Sequence, residues 1–544
     1  MFQTAELGQS VSREDFDKVA DSLRTELLAL QQELRAADFP VVVVFAGVDG
    51  AGKGESVNLI NEWMDPRWII TRAYGASSDE ERERPTYWRY WRDLPPKGQI
   101  GLFLSCWYSK PILDHVNGVI TTHEFDKHLE RVASFEKMLA DDGALILKFW
   151  MHLGKDAQKR RLKSLEKDPL QSWRVSKSDW RNWKLYDNFI STAERTVRRT
   201  DTGQTRWVIV EGEDARYRSL TVLDELRDAI RKHMIDREAR LKVIREAKAA
   251  SAAQRDAEMQ KLHAELPVIE QQAEAEAKKP SGRKVSTVKL TPEGDLKALT
   301  VLDALDMTKS LSKADYGLAL KQARAELALL CRQAKEKNIS TLLVFEGADA
   351  AGKGGAIRRL TASLEARDYR VIPTAAPTDE ERAQHYLWRF WRHLPRAGRV
   401  TVFDRSWYGR VLVERIEGFA TNAEWMRAYA EINDFEEQLV QEGSVLVKFW
   451  IQITKDEQYR RFKERETIAY KKWKLTDEDW RNRAKWDQYE TSVHEMVERT
   501  STGHAPWVLV EGNDKNHARI KIIHAVCAQL KRRLEALGQK QNQG

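Results

Sequence analysis

The sequence predicts an α/β chain of two tandem phosphate-loop domains, each a parallel sheet layered between helices, joined by a charged helical linker. Three observations carry this. A glycine-rich loop follows a hydrophobic run at Val344–Gly355 and again at Phe45–Gly54. Motifs along both halves align at a constant offset of 300 residues. Within each half, short apolar runs alternate with longer amphipathic stretches, the rhythm of a parallel sheet with helices on both faces.

The 544 residues exceed one ordinary core, and 90 basic against 83 acidic residues leave a net charge of +7. That charge suits a polyanionic ligand without requiring one. The widely spaced Cys106, Cys331 and Cys527 have no metal-binding spacing and suggest a reducing compartment. Met1–Leu30 has the amphipathic pattern of a helix rather than a secretory leader. The longest apolar runs, such as Val41–Val48, are too short to span a bilayer. The expectation is a cytoplasmic, soluble protein with no membrane or nucleic-acid partner.

Along the chain, Asp79-Glu80-Glu81-Arg82 recurs as Asp379-Glu380-Glu381-Arg382, and Trp107-Tyr108 as Trp407-Tyr408. Lys148-Phe149-Trp150 recurs as Lys448-Phe449-Trp450, and Asp179-Trp180-Arg181-Asn182 as Asp479-Trp480-Arg481-Asn482. This is duplication of a domain of about 235 residues, not a short-period solenoid. The divisions expected are 1–236, a linker over 237–298, and 299–544. In the second domain the strands are expected at Thr341–Phe345, Tyr369–Ile372, Val400–Phe403, Val445–Trp450 and Trp507–Val510, and a helix at Ala356–Leu364. Helices over Arg13–Ala36 and Lys313–Lys337 could pack on the sheets or form an oligomer surface. Arg237–Lys279 has a helix-forming composition, broken at Pro280-Ser281-Gly282.

Gly347 and Gly352-Lys353 have the G-x-x-x-x-G-K spacing of a loop whose backbone N–H groups curl around phosphate oxygens at a helix N-terminus, with the lysine as a mobile charge. Gly47, Gly52 and Lys53 repeat it. Gly354 stands where a hydroxyl usually holds Mg²⁺, and a carboxylate (Asp349, and Asp49 in the first copy) sits inside the loop.

Val400–Phe403 ends in Asp404, a strand-tip carboxylate suited to Mg²⁺, followed by Arg405 and Arg410, which could clamp phosphoryl oxygens. The first copy has Leu104 and Ser105 at the positions of Asp404 and Arg405. Leucine cannot bind a hard cation and serine lacks the charge. Turnover is therefore expected only in the second copy, with phosphate binding still open to the first and structural pairing its expected job. Trp388-Arg389-Phe390-Trp391-Arg392 reads equally as core aromatics with solvated arginines or as a base- and phosphate-binding surface. The basic segment from Tyr459 to Lys474 has the character of a lid. His385, His393 and His494 have no ligand spacing.

The loop Gly347–Gly354 and the segment Phe403-Asp404-Arg405-Ser406-Trp407-Tyr408 resemble the family-2 polyphosphate kinases, over both repeats. The tandem form resembles the fused members that pass phosphoryl groups from polyphosphate to AMP. The resemblance implies a P-loop kinase-like fold and Mg²⁺ (or Mn²⁺) on Asp349 and Asp404. It also implies phosphoryl contacts from Lys353 and Arg405, polyphosphate held by Arg460 and Lys472, and Glu414 near the nucleotide. Asp114 stands opposite Glu414 in the first copy.

The expected partners are inorganic polyphosphate and AMP/ADP. The expected chemistry is direct in-line attack by an AMP phosphate oxygen, open to running in either direction. A polyphosphate:nucleoside-diphosphate kinase and an ATP-dependent nucleotide kinase of the thymidylate-kinase type are the alternatives. A non-enzymatic polyanion- or nucleic-acid-binding protein would suit the first copy better than the second.

Overall fold

In the computed structural model, residues 1–240, 242–243, 245–246, 300–467 and 477–541 are described. The linker expected over 237–298 lies, from residue 247 on, outside them. So does the 468–474 part of the expected lid, including Lys472. The described residues form two compact units: the first holds most of the first repeat together with Pro377–Arg392, and the second most of the second repeat together with Glu83–Pro85.

The first repeat holds a five-stranded parallel sheet: β1 (Val41–Gly47), β2 (Ile69–Ala73), β3 (Ile100–Leu104), β4 (Leu145–His152) and β5 (Trp207–Glu211), in the order β2-β3-β1-β4-β5. Helices α1 (Arg13–Leu34), α2 (Lys53–Trp63) and α3 (Thr122–Asp141) flank it. The second repeat has β6 (Thr341–Gly347), β7 (Tyr369–Pro373), β8 (Val400–Asp404), β9 (Val445–Gln452) and β10 (Trp507–Glu511), in the equivalent order β7-β8-β6-β9-β10. All five strands expected there are present. Its helices are α4 (Lys313–Glu336), α5 (Lys353–Thr361), α6 (Asn422–Gln441), α7 (Lys455–Thr467), α8 (Asp477–Ala484), α9 (Trp486–Thr500) and α10 (Lys515–Gln541).

Central β6 is buried from Thr341 to Glu346, which explains its unbroken apolar run: both faces of a central parallel strand are covered. On one face Leu343 and Phe345 join Leu327 and Leu330 of α4, Leu360 of α5 and Ile522 of α10. On the other, Phe403 meets Trp407, which packs edge-on against Phe435 of α6. The helix preceding each core packs on its own sheet: Leu327 and Leu330 are buried in the second repeat, as are Leu23, Leu27 and Leu30 in the first. A capping box at Thr421 and Glu424 starts α6, and Thr121 with Glu124 does the same for α3.

Two local differences from expectation follow from chemistry. Helix α5 starts at Lys353, directly after left-handed Gly352 (φ 110°), and ends at Thr361. The loop thus feeds its N–H groups straight into the helix. In the Trp-Arg segment, Trp388 and Trp391 are core residues. Arg389 pairs with Glu381 at 3.3 Å and Arg392 with Glu380 at 3.0 Å, so the aromatics belong to packing and the arginines to ion pairs.

Candidate active site

Parallel pairing sets the geometry. Phe345 lies opposite Asp404 and Gly347 opposite Ile451, so the tips of β6, β8 and β9 converge where the loop leaves the sheet. Gly347 has φ 154°, and a Cβ there would lie 2.5 Å from the Ile451 carbonyl oxygen, so only glycine permits this close approach. The Lys353 ammonium donates to the carbonyls of Gly347 (2.7 Å) and Ala348 (3.3 Å), which holds it over the loop. Burial pushes this ammonium below its ordinary pKa, with Asp349 and Asp404 opposing and Arg405 adding to the shift.

Loop carboxylate Asp349 is fixed on three sides. Arg405 approaches one oxygen at 3.3 Å, Asn482 of α8 donates to the other at 2.7 Å, and Gln458 of α7 donates to its backbone carbonyl at 3.2 Å. Arg405 is itself left-handed, φ 63°, an unfavourable conformation for a long side chain. Its N–H bonded to Phe345 O (3.0 Å) and its carbonyl bonded by Thr374 (2.9 Å) hold the bend. Beneath, Ser406 donates to the buried Glu346 carboxylate at 2.8 Å. Burial raises the Glu346 pKa, against Lys353 and the Ser406 bond.

Asp349, Lys353, Asp404 and Arg405 thus share one open cleft of about 1080 Å³, lined further by Arg358, Arg359, Arg461, Arg465, Lys515 and Arg519. A second chamber shares Asp349 and Arg405 with this cleft, and Leu302, Leu412, Trp450, Trp486 and Tyr489 give it an apolar, aromatic wall. The two hard oxygen donors Asp349 and Asp404 fit Mg²⁺, which uses one or two carboxylates plus substrate phosphates. Arg410 pairs with Glu414 at 3.2 Å, apart from the residues lining the cleft. Arg460 is exposed and bonded to Glu457 at 2.7 Å, while its neighbour Arg461 faces the loop. Lys472 lies outside the described residues.

Residue-type reasoning missed the supports. Buried Arg461 donates to Glu457 (2.6 Å), to the loop carbonyls of Ala350 and Ala351 (2.9 Å each), and to those of Gly512 (2.7 Å) and Asn513 (2.9 Å). Below Arg405, Glu436 accepts from Trp407 (3.0 Å), Tyr408 (2.7 Å) and Lys448 (2.7 Å), and Lys448 also reaches Thr500 O at 2.8 Å. Recurrence at the 300-residue offset was the available signal. Gln158, Asn182, Glu136 and Lys148 make the equivalent bonds in the first repeat.

The family model for polyphosphate kinase 2 matches residues 10–238 and 310–537. The chain belongs to the polyphosphate kinase 2 family. It is 47% identical over 97% of its length to a polyphosphate:AMP phosphotransferase of Pseudomonas aeruginosa, covering 98% of that protein. It is 35% identical to one of Acinetobacter johnsonii, over 90% of this chain and 91% of that one. A solved polyphosphate kinase 2 structure from Pseudomonas aeruginosa PA01 superposes with a TM-score of 0.82 at 43% identity, covering 98% of this chain and 99% of that one.

Within this polyphosphate kinase 2 chain, the repeats part company around the β3 and β8 tips. The first repeat keeps Lys53 on the Gly47 carbonyl (2.7 Å) and Asn182 on Asp49 (3.1 Å). It keeps the left-handed bend too, at Ser105 (φ 50°). Yet Glu346, Asp404, Arg405 and Ser406 are replaced by Ala46, Leu104, Ser105 and Cys106. Burial pushes the Cys106 thiol up to about 12. The scaffold and the loop's Lys53 and Asp49 persist, while the charges of Glu346, Asp404 and Arg405 have no counterpart.

Proposed function

We propose that the second repeat transfers the terminal phosphoryl group of inorganic polyphosphate to AMP, giving ADP. The observation that carries this reading is the meeting of a basic cleft and an aromatic-walled chamber at Asp349 and Arg405. A long polyanion suits the first and a nucleoside the second, so donor and acceptor would meet at that pair. The relatives from Pseudomonas aeruginosa and Acinetobacter johnsonii, both polyphosphate:AMP phosphotransferases, support the same donor and acceptor.

An AMP phosphate oxygen attacks the terminal phosphorus, the bridging P–O bond breaks, and the shortened chain leaves as a phosphate anion. The attacking oxygen is already anionic near neutral pH, so positioning and charge neutralisation do the catalysis. Lys353 and Arg405 contact the moving phosphoryl group. Asp349, clamped by Asn482, orients Arg405. Mg²⁺ held by Asp349 and Asp404 supplies, when bound, further neutralisation of phosphoryl oxygens. Arg461 spends its donors on backbone carbonyls and Glu457, so the polyanion falls to Arg358, Arg465, Lys515 and Arg519. Transfer is direct, and the free cysteines fit a reducing, cytoplasmic setting.

The test is ADP formation from AMP and polyphosphate with Mg²⁺ and no ATP, for the wild type beside Asp404→Ala and Asp49→Ala. Loss in the first variant alone supports one live repeat. Equal loss in both assigns the first repeat a part in turnover. No ADP from the wild type would sink the reading, and ATP or ADP would then be tried as donor or acceptor. A phosphorylated enzyme trapped by acid quench would overturn direct transfer.

A further inference from the structure

The second repeat has glycine two residues beyond its loop lysine (Gly355), and a Cβ built there meets only the Arg519 guanidinium, at 3.6 Å. The first repeat has Glu55 at that position, in the first turn of α2. Its counterpart Gly355 lines the basic cleft beside the second repeat's phosphate loop, so Glu55 brings a carboxylate to the position where that cleft meets the first turn of the helix, where an anion is favoured. Three guanidinium groups converge on it: Arg174 at 2.6 Å, Arg161 at 3.1 Å and Arg218 at 3.6 Å. They come from three segments of the chain, and Arg218 is buried. Burial pushes the Glu55 pKa up, but the Arg174 bond and the fields of Arg218 and Arg161 bring it below its ordinary value.

The arginines are committed as well. Arg218 lies so close over Gly52 that a Cβ there would come within 2.3 Å of its guanidinium, and it donates to Gly212 O at 3.1 Å. Arg161 stands at the position of Arg461, which in the second repeat holds loop carbonyls and has no acidic residue at position 355 to meet. A polyanion entering the first repeat would have to displace a carboxylate from its own arginines and then lie beside that negative charge.

We infer that Glu55 is the residue that restricts polyphosphate to the second repeat: it acts as an internal anion that fills the first repeat's phosphate seat. This goes beyond the missing Asp404 and Arg405 equivalents, because those losses bear on turnover whereas Glu55 bears on binding. The inference rests on the polyphosphate reading above.

Calorimetric titration of the full-length chain with tripolyphosphate tests it. The wild type is expected to bind one tripolyphosphate per chain, and Glu55→Gly two. Glu55→Ala, which favours the helix more than glycine does, is expected to bind two as well and guards against a folding defect in the glycine variant. Circular dichroism and ADP formation by the second repeat establish that each variant is intact. Two sites in the wild type, or one site in both intact variants, overturns the inference while leaving the kinase reading in place. No binding by any form, with no ADP formed, overturns both.

Discussion

Asp349 and Arg405 face each other at 3.3 Å across the junction of the basic cleft and the aromatic chamber. They come from opposite sides of a strand pair: Asp349 follows β6, and Arg405 follows β8 in a left-handed bend. Neither loop alone builds the junction. Arg405→Ala is expected to lower kcat for ADP formation about 100-fold or more, the usual cost of removing a preorganised charge from a transition state. Arg405→Lys is expected to restore little, because an ammonium lacks the planar fork. Steady-state kinetics at saturating AMP check this, and an Arg405→Ala variant with wild-type kcat would remove Arg405 from the chemistry.

Arg461 is a positioning residue. It satisfies four backbone carbonyls, two of them in the phosphate loop, and each one orphaned in a buried place costs about 1–3 kcal/mol. Arg461→Met is therefore expected to destabilise the second repeat by about 3 kcal/mol or more and to raise KM for polyphosphate. Arg461→Lys should recover part of the stability but little of the KM, since one ammonium cannot span two loops. Thermal melts read beside KM and kcat separate this from a purely structural role, which would leave KM in the folded fraction unchanged.

The strands and the loop were legible because their causes are local. An unbroken apolar run marks a strand buried on both faces, and Gly347 and Gly352 stand where the backbone needs left-handed or crowded conformations. Asp404 and Arg405 could be found because they flank such a strand. The supports were not legible, because Arg461, Asn482 and Glu436 act on residues 110, 133 and 29 positions away, and nothing in their neighbours' types announces it. The same holds for Arg460, which shares a basic segment with Arg461 but turns outward to Glu457. Only helix phase, set by packing, separates the two.

Glu436 and Lys448 form an ion pair with both side chains fully buried, at 2.7 Å, and burial lowers the Lys448 pKa against the pull of Glu436. Removing one partner of such a pair strands the other, a cost of about 3–5 kcal/mol, whereas replacing both by apolar groups can be near neutral. Glu436→Leu and Lys448→Met are each expected to destabilise strongly as single variants, and the pair together to recover only part of the loss, because Trp407, Tyr408 and the Thr500 carbonyl stay without their partners. A double-mutant cycle by urea unfolding measures the coupling. Additive single effects would show that the pair does not act as a unit. Because Trp407 and Tyr408 also hang on Glu436, Glu436→Leu alone should lower kcat too by loosening the segment that carries Arg405.

Glu511, at the end of β10, is 3% exposed and takes Lys521 at 2.6 Å and Lys309 at 3.0 Å. Burial alone would raise its pKa, but the Lys521 bond, its own backbone N–H and the Lys309 bond bring it down to about 2. A carboxyl lowered in the folded state stabilises that state above its unfolded pKa of 4.5 and loses the contribution as pH falls through about 2. The expected contribution at pH 7 is on the order of 3 kcal/mol. Glu511→Gln should thus be less stable than the wild type at neutral pH, and the gap should shrink between pH 5 and pH 2. Urea midpoints across that range decide it. A gap that stays constant with pH would mean that Glu511 stabilises through packing and hydrogen bonds rather than through its charge.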